Sequence, residues 1–425
     1  MERFKIMAKN IELTEVKKGL ATFNLIGKAK VSDFTFSLDQ ESQKPNSDWV
    51  YSKINLGVDC GVNGIIYADM MGGYGSDRDN YVYVHGVDKD GKDDYNNNFK
   101  IDWEDRFDET IFDTIGNNCF ITVGLEKDEN GKTIYKKFLS EYDAIDYIND
   151  NLQDGTIINV KGNLQYQKYN DKLFVKKNIT SIVLSKAEED KFKATFTQTL
   201  LVESDAVGKP DKDTMTVPVI ATLIEYMKKF DDKKVFNSKT NKQGMNIPIM
   251  KEFYVQINEE DKNKTALLLK QFKAKSKKVT EIVVDGIFTR EALETTEVKE
   301  DDIPDDIKEL IEMGVIDKED VLGKMAFANG GNKPERMIIT NPNIKMIEVD
   351  GGKRPSINRV ADKYTQDDIN PILVIEQFGY FEDEIENNTT SDKSINNSDE
   401  VDIDSLMKET TDNDDDDDDS WLKDL

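Results

Sequence analysis

A mostly β protein with short helices is what this 425-residue chain predicts, on three observations. The stretches 19–38 (GLATFNLIGKAKVSDFTFSL) and 191–204 (KFKATFTQTLLVES) open with long runs of alternating apolar and polar residues, the period of a strand with one buried face. Each run is followed by the same order of elements: strand, helix, strand, strand. Two of the later strands, TIINVKGNL (156–164) and TEIVVDGIF (280–288), share Thr, Ile, Val and Gly in register.

In chain order, WVYSKINLGV (49–58) alternates and reads as a second strand. The stretch 72–113, rich in Gly, Asp and Asn, reads as an inserted hairpin with loops. Residues 119–125 and 134–139 are strand-like, and 141–152 place Tyr142, Ile145, Ile148 and Leu152 at helical spacing. The strands 156–164 and 172–184 complete the first copy. In the second copy 252–258 is strand and 265–274 an apolar-faced helix. The strand 280–288 follows, then a helical insertion at 303–325 with Pro304 at a helix start and Gly314 as a stop, and a last strand at 336–349. A helix between the third and fourth of five strands is the order of an OB-fold barrel. The expectation is therefore tandem OB-like five-stranded barrels, 1–186 with insertion 72–113 and 187–350 with insertion 303–325. An extension, 351–381, packs on the second, and a disordered acidic tail, 382–425, follows. One large β-rich domain with chance similarity is the competing organisation.

The net charge of −27 is uneven: residues 382–425 hold 18 acids against 3 lysines, and the preceding 381 residues still carry a net −12. No global basic field draws in nucleic acid, so such a site has to be a local patch. Two cysteines, Cys60 and Cys119, and one histidine, His85, cannot build a zinc site of three or four nitrogen and sulfur ligands, and no cofactor motif is present. The sparse cysteines suggest a reducing compartment. No signal-peptide core and no apolar run of about 20 residues is found, so a soluble cytoplasmic protein without a membrane partner is expected. His85 reads as an exposed strand residue, no histidine–carboxylate cluster is legible, and catalysis is not expected.

Two surfaces are candidate binding sites. Alternation in 49–58 puts Val50, Ser52, Ile54 and Leu56 on one face and Trp49, Tyr51, Lys53 and Asn55 on the other. Aromatic rings beside a lysine suit single-stranded nucleic acid, where bases stack and the cation neutralises phosphate. The alternative is that the 72–113 insertion covers Trp49 and Tyr51. The second surface, LQYQKYNDKLFVKK (164–177), interleaves Tyr166, Tyr169 and Phe174 with Lys168, Lys172, Lys176 and Lys177 against one acid, Asp171. It joins strands four and five of the first barrel, where OB-folds flank their ligand groove.

The chain ends in DDDDDDSWLKDL (414–425). The six aspartates Asp414, Asp415, Asp416, Asp417, Asp418 and Asp419 repel one another and cannot collapse, while Trp421, Leu422 and Leu425 form an apolar tip. This pattern resembles the tail of replicative single-stranded DNA-binding proteins of bacteria and their phages. The resemblance covers the tail in character and residues 1–350 as an order of elements; the tip is WLKDL instead of a Pro-Phe-type ending, and the body exceeds a single bacterial OB module. It implies coating of single-stranded DNA in replication, recombination and repair, in a bacterial cytoplasm or an infected cell, with the tail recruiting replication or recombination proteins. The rival is a structural or assembly protein on OB-like barrels, such as a virion component with no nucleic-acid ligand, which needs no outward aromatics beside lysines.

Overall fold

The computed structural model describes residues 12–169, 172–212, 214–258, 260–290, 335–349 and 351–382, together with 303, 304, 307, 308 and 311. Most of the helical insertion at 303–325 and nearly all of the tail lie outside the described residues. Among the described residues no helix is long and apolar enough to cross a membrane.

The first half contains β1 (Ala21–Lys30), β2 (Phe36–Glu41), β3 (Trp49–Asp59), β4 (Ile65–Gly75), β5 (Tyr81–Val87), β6 (Asp93–Asp102), β7 (Ile121–Lys127), β8 (Thr133–Phe138), α1 (Glu141–Asn151), β9 (Ile157–Tyr169) and β10 (Lys172–Leu184). Five of these strands close on themselves: β1 pairs β3, β3 pairs β4, β4 runs parallel to β10, β10 pairs β9, and β9 pairs β1. This is an OB-like barrel, with α1 between its third and fourth strands. Ser140 caps α1 by accepting from the Tyr142 N–H, and Ala144, Ile145 and Ile148 bury one face.

The second half repeats the closure. It contains β11 (Lys193–Val202), β12 (Thr216–Met227), β13 (Lys229–Phe230), β14 (Lys233–Asn237), β15 (Met245–Gln256), α2 (Lys262–Leu269), β16 (Lys278–Thr289) and β17 (Arg336–Pro342). β11 pairs β12, β12 pairs β15, β15 runs parallel to β17, and β17 and β11 both pair β16. The remaining strands and helix are β18 (Ile344–Val349), β19 (Gly352–Ile357), β20 (Arg359–Thr365), α3 (Pro371–Phe378) and β21 (Gly379–Phe381); β20 pairs β16.

The barrels are fused edge to edge. β1 pairs β11 antiparallel, and Phe23 stands opposite Phe196. On the outer sides of that pair Phe23 faces Gly162 of β9 and Phe196 faces Gly286 of β16, giving the cross-strand row Gly162, Phe23, Phe196, Gly286. A Cβ at Gly162 would overlap the Phe23 ring and the Asn178 carbonyl oxygen; one at Gly286 would overlap the Phe196 ring and the Ile338 carbonyl oxygen. The glycine shared in register by 156–164 and 280–288 thus makes room for the phenylalanine of the opening strand. Phe23 and Phe196 sit in one continuous apolar core running through both barrels.

Three expectations need correction. The third strand of the first barrel is β4, not 119–125; the latter is β7, which prolongs the parallel edge along β10 beyond the insertion. The helix expected over 265–274 is α2 followed by one tight turn at Lys270–Phe272, because Phe272 is drawn into the core. The strand expected over 336–349 breaks at Asn343, whose N–H donates to the Val283 carbonyl, and β18 leaves to pair with β19.

Ala at Gly162 or Gly286 should each destabilise the fold by about 1–3 kcal/mol or more through overpacking against backbone. Ala at Gly352, which meets only one carbonyl oxygen at 3.8 Å, should stay within about 0.5 kcal/mol. Denaturant midpoints of the three variants provide the check.

Candidate nucleic-acid interface

The outer face of the first barrel follows from strand alternation. On β3, Ser52, Ile54 and Leu56 point inward, and Lys53 and Asn55 outward. On β4, Ile66, Ala68 and Met70 are buried; Ile65, Tyr67, Asp69 and Met71 face out, with Tyr67 43% exposed. Lys53 opposes Met71, and Asn55 opposes Asp69. From β9 and β10 the same face receives Gln165, Gln167, Phe174, Lys176 and Asn178, Phe174 being 37% exposed. Lys176 Nζ lies 3.3 Å from Asp69 Oδ2, and the Asn178 amide donates to Gln165 Oε1 at 3.0 Å. Burial raises the Asp69 carboxyl pKa, and Lys176 pulls the other way.

A row of short polar side chains crosses both barrels on this outer side. Residues directly opposed on successive strands are Asp69, Asn178, Asn163, Thr22, Thr197, Asp285 and Asn341, from β4 through β10, β9, β1, β11 and β16 to β17. Six interstrand steps of about 4.8 Å make it about 29 Å long. Its second carboxylate is engaged too: Asp285 accepts from Thr197 Oγ1 at 2.7 Å and from the Asn341 and Asn343 amides.

The predicted residues divide. Trp49 and Tyr51 are half-buried at the insertion end of β3, opposite Gly75 and Gly73, and Arg78 at the root of the insertion reaches Asp48 at 3.5 Å. Lys53 and Phe174 are on the outer face, and Lys176 is there in its pair with Asp69. Tyr166 is a correction. It is 2% exposed, its hydroxyl donates to Gln198 Oε1 at 3.0 Å, and its N–H donates to Glu225 Oε2 at 3.2 Å. Alternation puts Tyr166 on the opposite face from Gln165 and Gln167, so the hairpin of β9 and β10 lays this side on the second barrel. Lys177 shares that side: its Nζ is 2.5 Å from Glu335 Oε1 and 4.7 Å from the Phe288 ring. Lys251 Nζ stands 6.0 Å from the Tyr166 ring, and burial pushes its pKa down. Lys168, near the hairpin tip, pairs with Asp231 at 3.0 Å. The side chains of Tyr169 and Lys172, and the tail residues Asp414 to Asp419, Trp421, Leu422 and Leu425, lie outside the described residues.

Tyr67 was not anticipated, because IIYADMM (65–71) is apolar at all but one position and only its burial in the barrel alternates. The Arg290 guanidinium carbon stands 5.3 Å from the Tyr67 ring centre, so the face pairs an aromatic with a cation.

His85 is also corrected. It is largely enclosed in the insertion, with Nε2 2.7 Å from Asp93 Oδ1 and Nδ1 3.2 Å from Cys119 Sγ. The sulfur is also 3.8 Å from Nε2, so it lies beside the imidazole, out of line with either N–H, and burial raises its thiol pKa. A Cβ at Gly116 would overlap His85 and Asp93. This packed arrangement ties β5, β6 and the 117–119 turn together and lacks the alignment of a base with a nucleophile. Among the described residues no group of three or more His, Cys, Asp or Glu is placed to hold a metal ion.

No protein-family model and no curated protein matches the sequence. Among solved structures the chain is similar to a deletion mutant of the single-stranded DNA binding protein from Thermus aquaticus, at 12% identity and a TM-score of 0.24, over 64% of this chain and 89% of that one. A likeness at that level decides neither fold nor function; the OB-like fold rests on the strand pairings.

The two sides of the hairpin should respond differently to truncation. Tyr166→Ala should cost about 3–5 kcal/mol of stability, as for other buried aromatics, and Tyr166→Phe about 1 kcal/mol for the hydrogen bond to Gln198. Phe174→Ala should remain within about 0.5 kcal/mol of the parent in the same denaturation measurement.

Proposed function

We propose that the protein binds single-stranded DNA on the outer face of its first barrel and coats it during replication, recombination or repair. One observation carries this reading: Tyr67 stands outward on the third strand and Phe174 beside the hairpin of the fourth and fifth, both parts of the face an OB-fold uses for oligonucleotides, among Lys53, Lys176 and side-chain amides. Aromatic faces accept any base, and lysines meet phosphate as point charges, so recognition is sequence-tolerant. Trp49 and Tyr51 extend the platform toward the insertion. Within this reading 1–186 and 187–350 are the two barrel units, 351–381 belongs with the second, and 382–425 is the recruiting tail.

Binding of a fluorescently labelled thymine oligomer should exceed that of duplex of the same length and should weaken steadily as salt rises. Tyr67→Ala, Trp49→Ala and Phe174→Ala should each lose about 1–3 kcal/mol of affinity with unchanged melting. Equal affinity for duplex, or no binding at low salt, overturns the reading in favour of an assembly protein.

Within the same reading the acidic tail competes with phosphate, and its tip holds a partner protein. Removing residues 412–425 should tighten single-strand binding, most at low salt. Trp421→Ala should leave DNA affinity within twofold and abolish capture of a helicase, primase, polymerase or recombination protein. Identical capture with and without Trp421 removes the recruiting role.

A further inference from the structure

The ribbon of β18 and β19 stands apart from the barrels, with most of its residues exposed. Its strands pair only with each other, although an isolated two-stranded ribbon is marginal in water. On one face Ile344 opposes Ile357 and Met346 opposes Pro355, an apolar patch in which Ile344 is 54% and Met346 58% exposed. By strand alternation Lys353, opposite Glu348, shares this face, and Lys345 and Arg354, opposite Ser356 and Ile347, stand on the reverse face. None of the three is in an ion pair among the described residues, whereas Lys168, Lys176 and Lys177 all are. Three cations outside any such pair on two short strands, against a single acid in those strands, Glu348, give the ribbon a local positive charge in a body that is net acidic.

The root of the ribbon is fixed. Asn343 N–H donates to the Val283 carbonyl at 2.9 Å, Val283 N–H to the Asn358 carbonyl at 2.9 Å, and Asn358 N–H to the Asn343 carbonyl at 2.8 Å. The Asn343 amide reaches both oxygens of Asp285 at 3.1 and 3.2 Å. Asp285 is a member of the polar row that begins at Asp69 beside Lys176, so the ribbon rises where that row ends.

From this we infer that the ribbon is a second nucleic-acid contact, gripping a single strand that leaves the first barrel along the polar row. The inference rests on the single-strand reading above. A two-stranded ribbon open on both faces suits a chain that alternates phosphates with bases and wraps its edge: Met346 and Ile344 lie against base faces beside Lys353, and Lys345 and Arg354 take phosphates on the reverse face. The row between offers hydroxyls and amides, which bond sugars and base edges without holding one sequence, and its two carboxylates are already engaged by Lys176 and by Thr197, Asn341 and Asn343.

The test uses the full chain and two oligomers: thymine of about 8 nucleotides, within the site of one OB fold, and thymine of about 30. The K345A/K353A/R354A variant should bind the short oligomer within twofold of the parent. It should bind the long one about tenfold more weakly at low salt, with the salt slope reduced by about 2, since each phosphate contact on a single strand contributes about 0.7. Met346→Ser should weaken only the long oligomer and leave the slope unchanged. Parent-like binding of the long oligomer by both variants overturns the ribbon contact. If they lose self-association in sedimentation, or binding to an acidic peptide, while DNA binding stays intact, the ribbon is a protein-docking element and the inference falls. Failure of the parent itself to bind the short oligomer removes the single-strand reading, and the ribbon contact with it.

Discussion

Everything in this fold depends on the pairing of β1 with β11. These are equivalent strands of the two barrels, running antiparallel, with Phe23 opposite Phe196 and each phenylalanine lying over the glycine of its own barrel's fourth strand. The arrangement is self-complementary, as at a two-fold dimer interface, but both copies belong to one chain. It converts two closed barrels into one sheet with a continuous apolar side and a continuous polar side. A side chain at either glycine pushes against backbone, so the seam admits little variation.

The outer side inherits its character from the same seam. Because the registers on both flanks of β1 and β11 agree, polar residues from seven strands fall into line, and a surface that begins on the first barrel continues unbroken onto the second. The inner side has the opposite problem, since the hairpin of β9 and β10 must bury lysine stems where it rests on the second barrel. Lys177 does so by pairing with Glu335 and lying near Phe288, while Lys251 is held beside Tyr166 with its charged form disfavoured.

Much of this was legible in the sequence. The alternating openings, the helix between strands, and the shared Thr, Ile, Val and Gly all carry the two-barrel order. A further repeat went unused: ATF occurs at 21–23 and again at 194–196, and its two phenylalanines are the centre of the seam. The stretch 164–177 was singled out by composition as the turn between strands four and five, and grouping Tyr166 with Phe174 overlooked that strand alternation makes them face opposite ways. The third strand was missed because IIYADMM (65–71) is apolar at all but one position and so carries no apolar–polar alternation to mark it. The meeting of His85, Asp93 and Cys119 had no local signal, since long-range packing of the insertion creates it.

The seam also sets a schedule for synthesis. Ala21 pairs with Gln198, so the opening strand waits on the ribosome for roughly 170 residues before its last partner emerges. At about 5–20 residues per second that is on the order of 10 to 30 s during which an apolar-faced strand has an open edge. The first barrel can close by itself once β10 is out, leaving that edge still unpaired until β11 follows. The short turn between β10 and β11 keeps this interval brief, because the strand that covers the edge is the next to be made.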